Sequence, residues 1–126
     1  MDQKILVVDD EAHIRMLIEQ TLEDLEDDGV EILTATNGEE AYNTIKEEQP
    51  NLVFLDVMMP KMNGFDVCQK VKKEEGVSDT YIILLTAKGQ ELDRQKGEEV
   101  GADLYMTKPF DPDALLDKAR EVLGLD

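Results

Sequence analysis

The chain has no second cysteine to pair with Cys68, so no disulfide forms within it. A lone thiol suits a reducing, cytoplasmic setting. No apolar run approaches the ~20 residues that span a bilayer. The start, MDQKILVV, lacks the basic stretch, long apolar core and small-residue cleavage site of a secretory signal. Basic residues are also scarce: 13 Lys and Arg stand against 30 Asp and Glu, a net charge of −17. Such a chain is repelled by phosphate backbones and anionic membranes, so neither nucleic acid nor membrane is an expected direct partner. Basic protein surfaces and cations are. Internal repeats, low-complexity tracts and linkers are missing too.

What is present suits one domain. The 126 residues are 41% hydrophobic and 34% charged, enough for a single core under a very soluble surface. Short β-rich runs recur at βα spacing: KILVV (4–8), EILTA (31–35), LVFL (52–55), YIILLT (81–86) and DLYM (103–106). Three of them are apolar almost throughout, as strands covered on both faces of a parallel sheet are.

Helical patterns fill the gaps. Ile14, Leu17, Ile18, Leu22 and Leu25 fall on one face of a first helix, stopped by Asp27-Asp28-Gly29. Asn37-Gly38 precedes a second helix, which ends before Pro50. Gly64 opens a third, and Lys88-Gly89 a weakly amphipathic fourth. Asp111-Pro112 starts the last, with Leu115, Leu116, Ala119, Val122 and Leu123 facing inward. The pattern predicts an α/β fold, a single (βα)5 doubly wound parallel sheet over residues 1–126.

In an open parallel sheet, ligands bind outside the carboxyl ends of the strands. There the sequence places Asp9-Asp10, Asp56, Thr86-Ala87 and Lys108-Pro109. Three acids packed together call for a cation. Hard oxygen ligands suit Mg²⁺, or Mn²⁺ as a substitute. Lys108 and Thr86 would serve an anion beside the metal, and an aspartate can attack phosphorus to form an acyl phosphate. Asp56 therefore reads as a phosphorylation site.

The segments ILVVDDE, LVFLDVMMPKMNGFDV, IILLTA and GADLYMTKPF together resemble the receiver domain of bacterial response regulators, across essentially the whole chain. The resemblance implies the flavodoxin-like strand order 2-1-3-4-5. It implies Asp56 as phosphoacceptor, with Asp9, Asp10 and the backbone carbonyl of Met58 as metal ligands. Thr86 and Lys108 would contact the phosphoryl group, and Tyr105 would be the aromatic switch that follows Thr86. Lys108-Pro109 would be a cis peptide, Pro60 and Gly64 would shape the loop behind the acceptor, and small Ala87 would leave the phosphoryl group room.

The implied function is a two-state signalling switch rather than an enzyme acting on others. A sensor histidine kinase or phosphotransfer protein would supply the phosphoryl group. The face built from the fourth helix, fifth strand and fifth helix would change and meet a downstream protein target. Hydrolysis would reset the switch, the protein working as a monomer or a phosphorylation-dependent dimer. Met58 and Lys88 line the site entrance, where the family's chemotaxis member has Asn and Glu, and should tune water access. Leu104 and Asp113 stand where regulators with winged-helix output domains carry a pairing acid and Arg, which favours a single-domain regulator over that dimer contact. A receiver trimmed from a longer protein is the alternative.

Other features read plainly. His13 is a surface residue, Cys68 a packed one, and Glu23 to Asp28 a solvated helix end. Met58, Met59 and Met62 would suggest a soft metal, but the acids nearby favour a hard one. An aspartyl-phosphate phosphatase usually has a second acid two residues after its nucleophile, where this chain has Met58. A flavin site would need a glycine- and hydroxyl-rich phosphate loop where Asp9-Asp10-Glu11 would repel phosphate. A docking-only pseudo-receiver is disfavoured by the complete set of site residues.

Overall fold

In a computed structural model, residues 3–59, 62–74, 76–87, 98–108 and 110–125 are described. The elements run β1 (Lys4–Val8), α1 (Ala12–Leu22), a short 3-10 helix (Glu23–Asp28), β2 (Glu31–Ala35), α2 (Gly38–Glu48), β3 (Leu52–Asp56), α3 (Gly64–Lys73), β4 (Tyr81–Ala87), β5 (Leu104–Lys108) and α4 (Pro112–Leu123). The expected helix opening at Lys88-Gly89 falls largely outside the described residues, as do Lys88, Pro60 and Pro109.

All strand pairs are parallel, in the order β2-β1-β3-β4-β5. This is the expected order. Side-chain alternation along a strand sends successive residues to opposite faces. Ile5, Val7, Leu52, Phe54, Ile83 and Leu85 pack with Ile18, Leu22, Leu115 and Ala119 of α1 and α4. Leu6, Val8, Val53, Leu55, Ile82 and Leu84 pack with Ala41, Ile45, Val67, Cys68 and Val71 of α2 and α3. The near-continuous apolar runs of β1, β3 and β4 follow from this double coverage. The Cys68 thiol is fully buried, and burial pushes its pKa up to about 11.

Three expectations need correcting. Leu17 is 41% exposed rather than inward-facing. Ile18 and Leu22, with the partly buried Ile14, form the inward stripe, and at about 100° per residue Leu17 falls on its flank. Helix α1 also stops at Leu22, and a 3-10 helix carries the chain on to Gly29, which closes it at φ 86°. Acids crowd that carboxyl end, where the helix dipole disfavours negative charge. The tighter turn still buries Leu25.

The last strand, read as 103–106, runs from Leu104 to Lys108 because polar Thr107 and Lys108 continue the ladder opposite Thr86 and Ala87. Asp103 instead anchors its start. Its N–H donates to the Ile82 carbonyl at 3.0 Å, and its Oδ2 accepts the Ile82 N–H at 2.9 Å and the Lys72 ammonium.

Helices α2, α3 and α4 are each capped by a side chain at the residue before their first turn. The side chains of Asn37, Asn63 and Asp111 accept from Glu40, Asp66 and Asp113 backbone N–H groups. Phe54, in the middle of the sheet, is the largest fully buried side chain among the described residues. Phe54→Ala should cost about 3–5 kcal/mol in urea denaturation with the slope unchanged. At pH 8 the Cys68 thiol should react with a disulfide reagent only as fast as the protein opens.

Candidate functional site

The alternation that builds the core also sorts the site. Asp56 shares the parity of Leu52 and Phe54, Asp9 that of Ile5 and Val7, and Lys108 that of Leu104 and Met106. All three therefore reach the carboxyl rim on the α1 and α4 side. Thr86 shares the parity of Ile82 and Leu84, and Tyr105 pairs with Leu84 and packs on that same cluster, on the α2 and α3 side.

Lys108 ties the acids together. Its Nζ donates to Asp9 Oδ2 at 2.8 Å and lies 3.2 Å from Asp56 Oδ1. Asp9 is fully buried, Asp56 is 5% exposed and Thr86 is 3% exposed. The Asp9 Oδ1 accepts the Glu11 N–H at 2.9 Å, and the Arg15 guanidinium donates to the Asp9 carbonyl at 2.8 Å. The Met58 N–H points at Asp56 Oδ1 from 3.4 Å.

These surroundings shift the charges. Burial, then the neighbouring Asp9 charge, push the Asp56 carboxyl up to about 6, against the pull of Lys108 and the Met58 N–H. Burial opposes the Lys108 ammonium, but its hydrogen bond to Asp9 and the charges of Asp56 and Asp9 outweigh it and raise its pKa. The lysine stays cationic, while Asp56 holds its proton to a higher pH than an ordinary aspartate does.

The carboxylates of Asp9, Asp10 and Glu11 offer oxygens within 4.8 Å of one another, Asp9 from below and the others from solvent. Hard oxygens in that number fit Mg²⁺ or Mn²⁺. Asp56 joins them through Lys108. Met58 is 73% exposed at the mouth. The chain thus brings Asp9, Asp56 and Lys108 into direct contact, with Asp10 in the acidic group and Thr86 one residue past Leu85, which pairs with Asp56.

Two participants went unread in the sequence. Glu11 contributes a third clustered carboxylate, signalled only by its place after the acidic pair. Arg15, one turn on from Glu11, secures the Asp9 backbone. His13 is exposed and pairs with Glu11 at 3.4 Å when protonated.

The family model of the response regulator receiver domain matches residues 5–120. The chain belongs to that family. The receiver is 52% identical over 121 residues to ycf27 of Pyropia yezoensis, named as a probable transcriptional regulator, covering 96% of this chain and 47% of that protein. It is 42% identical over 123 residues to the alkaline phosphatase synthesis transcriptional regulatory protein PhoP of Bacillus subtilis, covering 98% and 49%. This receiver therefore spans about half the length of the curated relatives it matches. The solved chemotaxis response regulator CheY4 of Vibrio cholerae superposes with a TM-score of 0.84 at 34% identity, covering 97% of this chain and 99% of that one. Among the described residues of the receiver, no helix is long and apolar enough to cross a membrane.

The raised acid in this receiver makes a signed prediction. An ordinary aspartate titrates near 3.8 and native Asp56 near 6. Between those values the native state binds more protons than the unfolded one, so stability falls as pH rises through the window. Above it the ionised Asp56 is a net burden. Asp56→Asn should therefore stabilise the receiver by about 1–3 kcal/mol at pH 8 in EDTA, and the gain should vanish towards pH 4. Urea denaturation at both pH values measures it, and an equal gain at both would contradict the electrostatic origin.

Proposed function

We propose that residues 1–126 form one receiver domain that takes a phosphoryl group onto Asp56 from the phosphohistidine of a sensor histidine kinase or phosphotransfer protein. The single observation that carries this reading is the Lys108 ammonium bridging Asp9 and Asp56 at the rim of the sheet. A nucleophilic carboxylate needs negative charge at its oxygen, and the incoming phosphoryl oxygens need positive charge beside them. Lys108 offers both groups one partner.

The step is an in-line displacement. An Asp56 carboxylate oxygen attacks phosphorus, the P–N bond breaks, and its electron pair returns to the imidazole nitrogen. Lys108 stays with the phosphoryl oxygens as its contact to Asp56 weakens. The Thr86 hydroxyl is the second donor. Mg²⁺, held by Asp9, Asp10 and the Met58 carbonyl, would supply further positive charge to the phosphoryl oxygens when bound.

The switch follows from the sorted site. Thr86 moving to the phosphoryl group vacates space on the side where Tyr105 packs, and the aromatic ring turns into it. The surface formed by β5, α4 and the stretch before β5 that the sequence predicts as a helix changes, and a downstream protein target reads it. Water then hydrolyses the acyl phosphate at a rate set by Met58 and Lys88 at the entrance. The domain works in the cytoplasm, alone or as a phosphorylation-dependent dimer, and the names of its relatives point to transcriptional control as the output.

Intact-mass spectrometry after incubation with a small acyl-phosphate donor tests the reading. The expected result is a gain of one phosphoryl group that requires Mg²⁺ and is lost in Asp56→Asn. No gain under any condition, from the small donor or from a histidine kinase, would leave a domain that only docks. Met58→Asn together with Lys88→Glu should change the decay of the phosphorylated mass, and an unchanged decay would remove their tuning role.

A further inference from the structure

Helix α2 meets the loop behind Asp56 at one very close point. A methyl group placed on Gly38 would lie 1.7 Å from the Met62 carbonyl oxygen, 2.5 Å from its carbonyl carbon and 2.7 Å from its Cβ. Gly38 is buried and is the first residue of α2. It is not among the glycines with positive φ. Its backbone thus suits any residue, and what it supplies is space. The helix start it belongs to is firmly held, because Asn37 Oδ1 accepts the Glu40 N–H at 2.8 Å.

The loop it touches is pinned on either side. The Val57 N–H donates to the Leu85 carbonyl at 3.1 Å, and the Gly64 N–H to the Val57 carbonyl at 3.0 Å. A methyl on Gly64 would lie 2.4 Å from the Asp56 carbonyl oxygen, so the loop returns tightly against the strand it left. Asp56 itself is fixed in the ladder opposite Leu85. With Val57 and Gly64 tied in this way, a push on Met62 bears on the segment of Met58 and Met59 rather than on β3 or α3. That segment begins with Met58, whose N–H points at the Asp56 carboxylate.

We propose that Gly38 is a positioning residue for phosphoryl transfer: lacking a side chain, it seats the start of α2 on Met62 and so holds the Met58 segment against Asp56. The inference rests on the reading of Asp56 as phosphoacceptor and adds α2 to the parts that shape its site. Any side chain at Gly38 would force the Met62 carbonyl outward by more than an ångström. A displacement of that size near reacting groups is enough to slow a reaction by one to two orders of magnitude.

The test is Gly38→Ala, with two readouts. Methyl NMR of methionine-labelled, metal-free protein should show shifted signals for Met58, Met59 and Met62 and unmoved signals for Met16 and Met106. Phosphorylation by a small acyl-phosphate donor, followed by intact mass, should slow about tenfold or more. Ile45→Val, buried about two turns further along the same helix, should keep the wild-type rate although it loosens the core. Asn37→Ala serves if Gly38→Ala does not fold. It frees the first turn of α2 without a clash, should move the same signals, and should lower the rate by a smaller factor.

A wild-type rate in whichever of these two variants shows shifted loop signals overturns the positioning role. So does an equal loss in Ile45→Val, which would mean stability alone is at work, and so do unmoved loop signals. Failure of the wild-type protein itself to take a phosphoryl group is a different result: it refutes the phosphoacceptor reading first and removes the basis of this inference with it.

Discussion

Two buried carboxylates, Asp9 and Asp56, stand on a single ammonium group. Everything at the carboxyl rim is arranged around that imbalance. Removing the cation of such a buried cluster typically costs about 3–5 kcal/mol, because both acids are then left uncompensated. Lys108 lies 99 positions from Asp9, so it holds the first and last strands of the fold to one electrostatic centre. The sheet between them supplies the geometry, and its alternation decides which groups share that centre. Asp56 pays for the crowding with a carboxyl that titrates near 6. That residual frustration is what a divalent cation or a phosphoryl group would act upon.

The two faces of the sheet divide the work. On the α1 and α4 side lie the acids and the lysine, with Glu11 and Arg15 of the following turn holding the Asp9 segment. On the α2 and α3 side lie Thr86 and Tyr105, over a core that also seats Met59 and Met62. The proposed chemistry sits on one side and the proposed response on the other. They are joined by adjacent residues of β4, Leu85 opposite Asp56 and Thr86 beyond it. No long relay is needed between them.

Much of the fold was legible because β1, β3 and β4 are covered on both faces, which forces continuous apolar runs. The composition of the site was legible for a related reason: parallel strands bring their carboxyl ends together, so acids there must meet. The end of α1 was not, because apolar spacing continues to Leu25 while the acids beyond Leu22 change the turn. Leu17 misled because a residue on the flank of an apolar stripe reads like one in its centre. The strand end at Lys108 was hidden by polar residues that pair through backbone alone. Contacts such as Lys72 with Asp103, or Tyr42 with Glu74, join exposed-looking residues about 30 positions apart, and no local pattern announces them. The same holds for Gly38, whose neighbour Met62 is near only in space.

The anchoring of Asp103 has a mechanical consequence. At its start β5 is gripped by two backbone-directed bonds to Ile82 and by the Lys72 ammonium. At its far end the side chain of Lys108 is held by charge, in contacts to Asp9 and Asp56. The strand is a cantilever, clamped at the root and loaded at the tip. A change of charge at Asp56 would alter the load on the Lys108 side chain without touching the Asp103 anchor, while the ladder to Thr86 and Ala87 holds the backbone. Tyr105 lies next to Leu104, close to the Asp103 anchor, so in the proposed switch a small tilt of the strand would turn its ring rather than break the ladder.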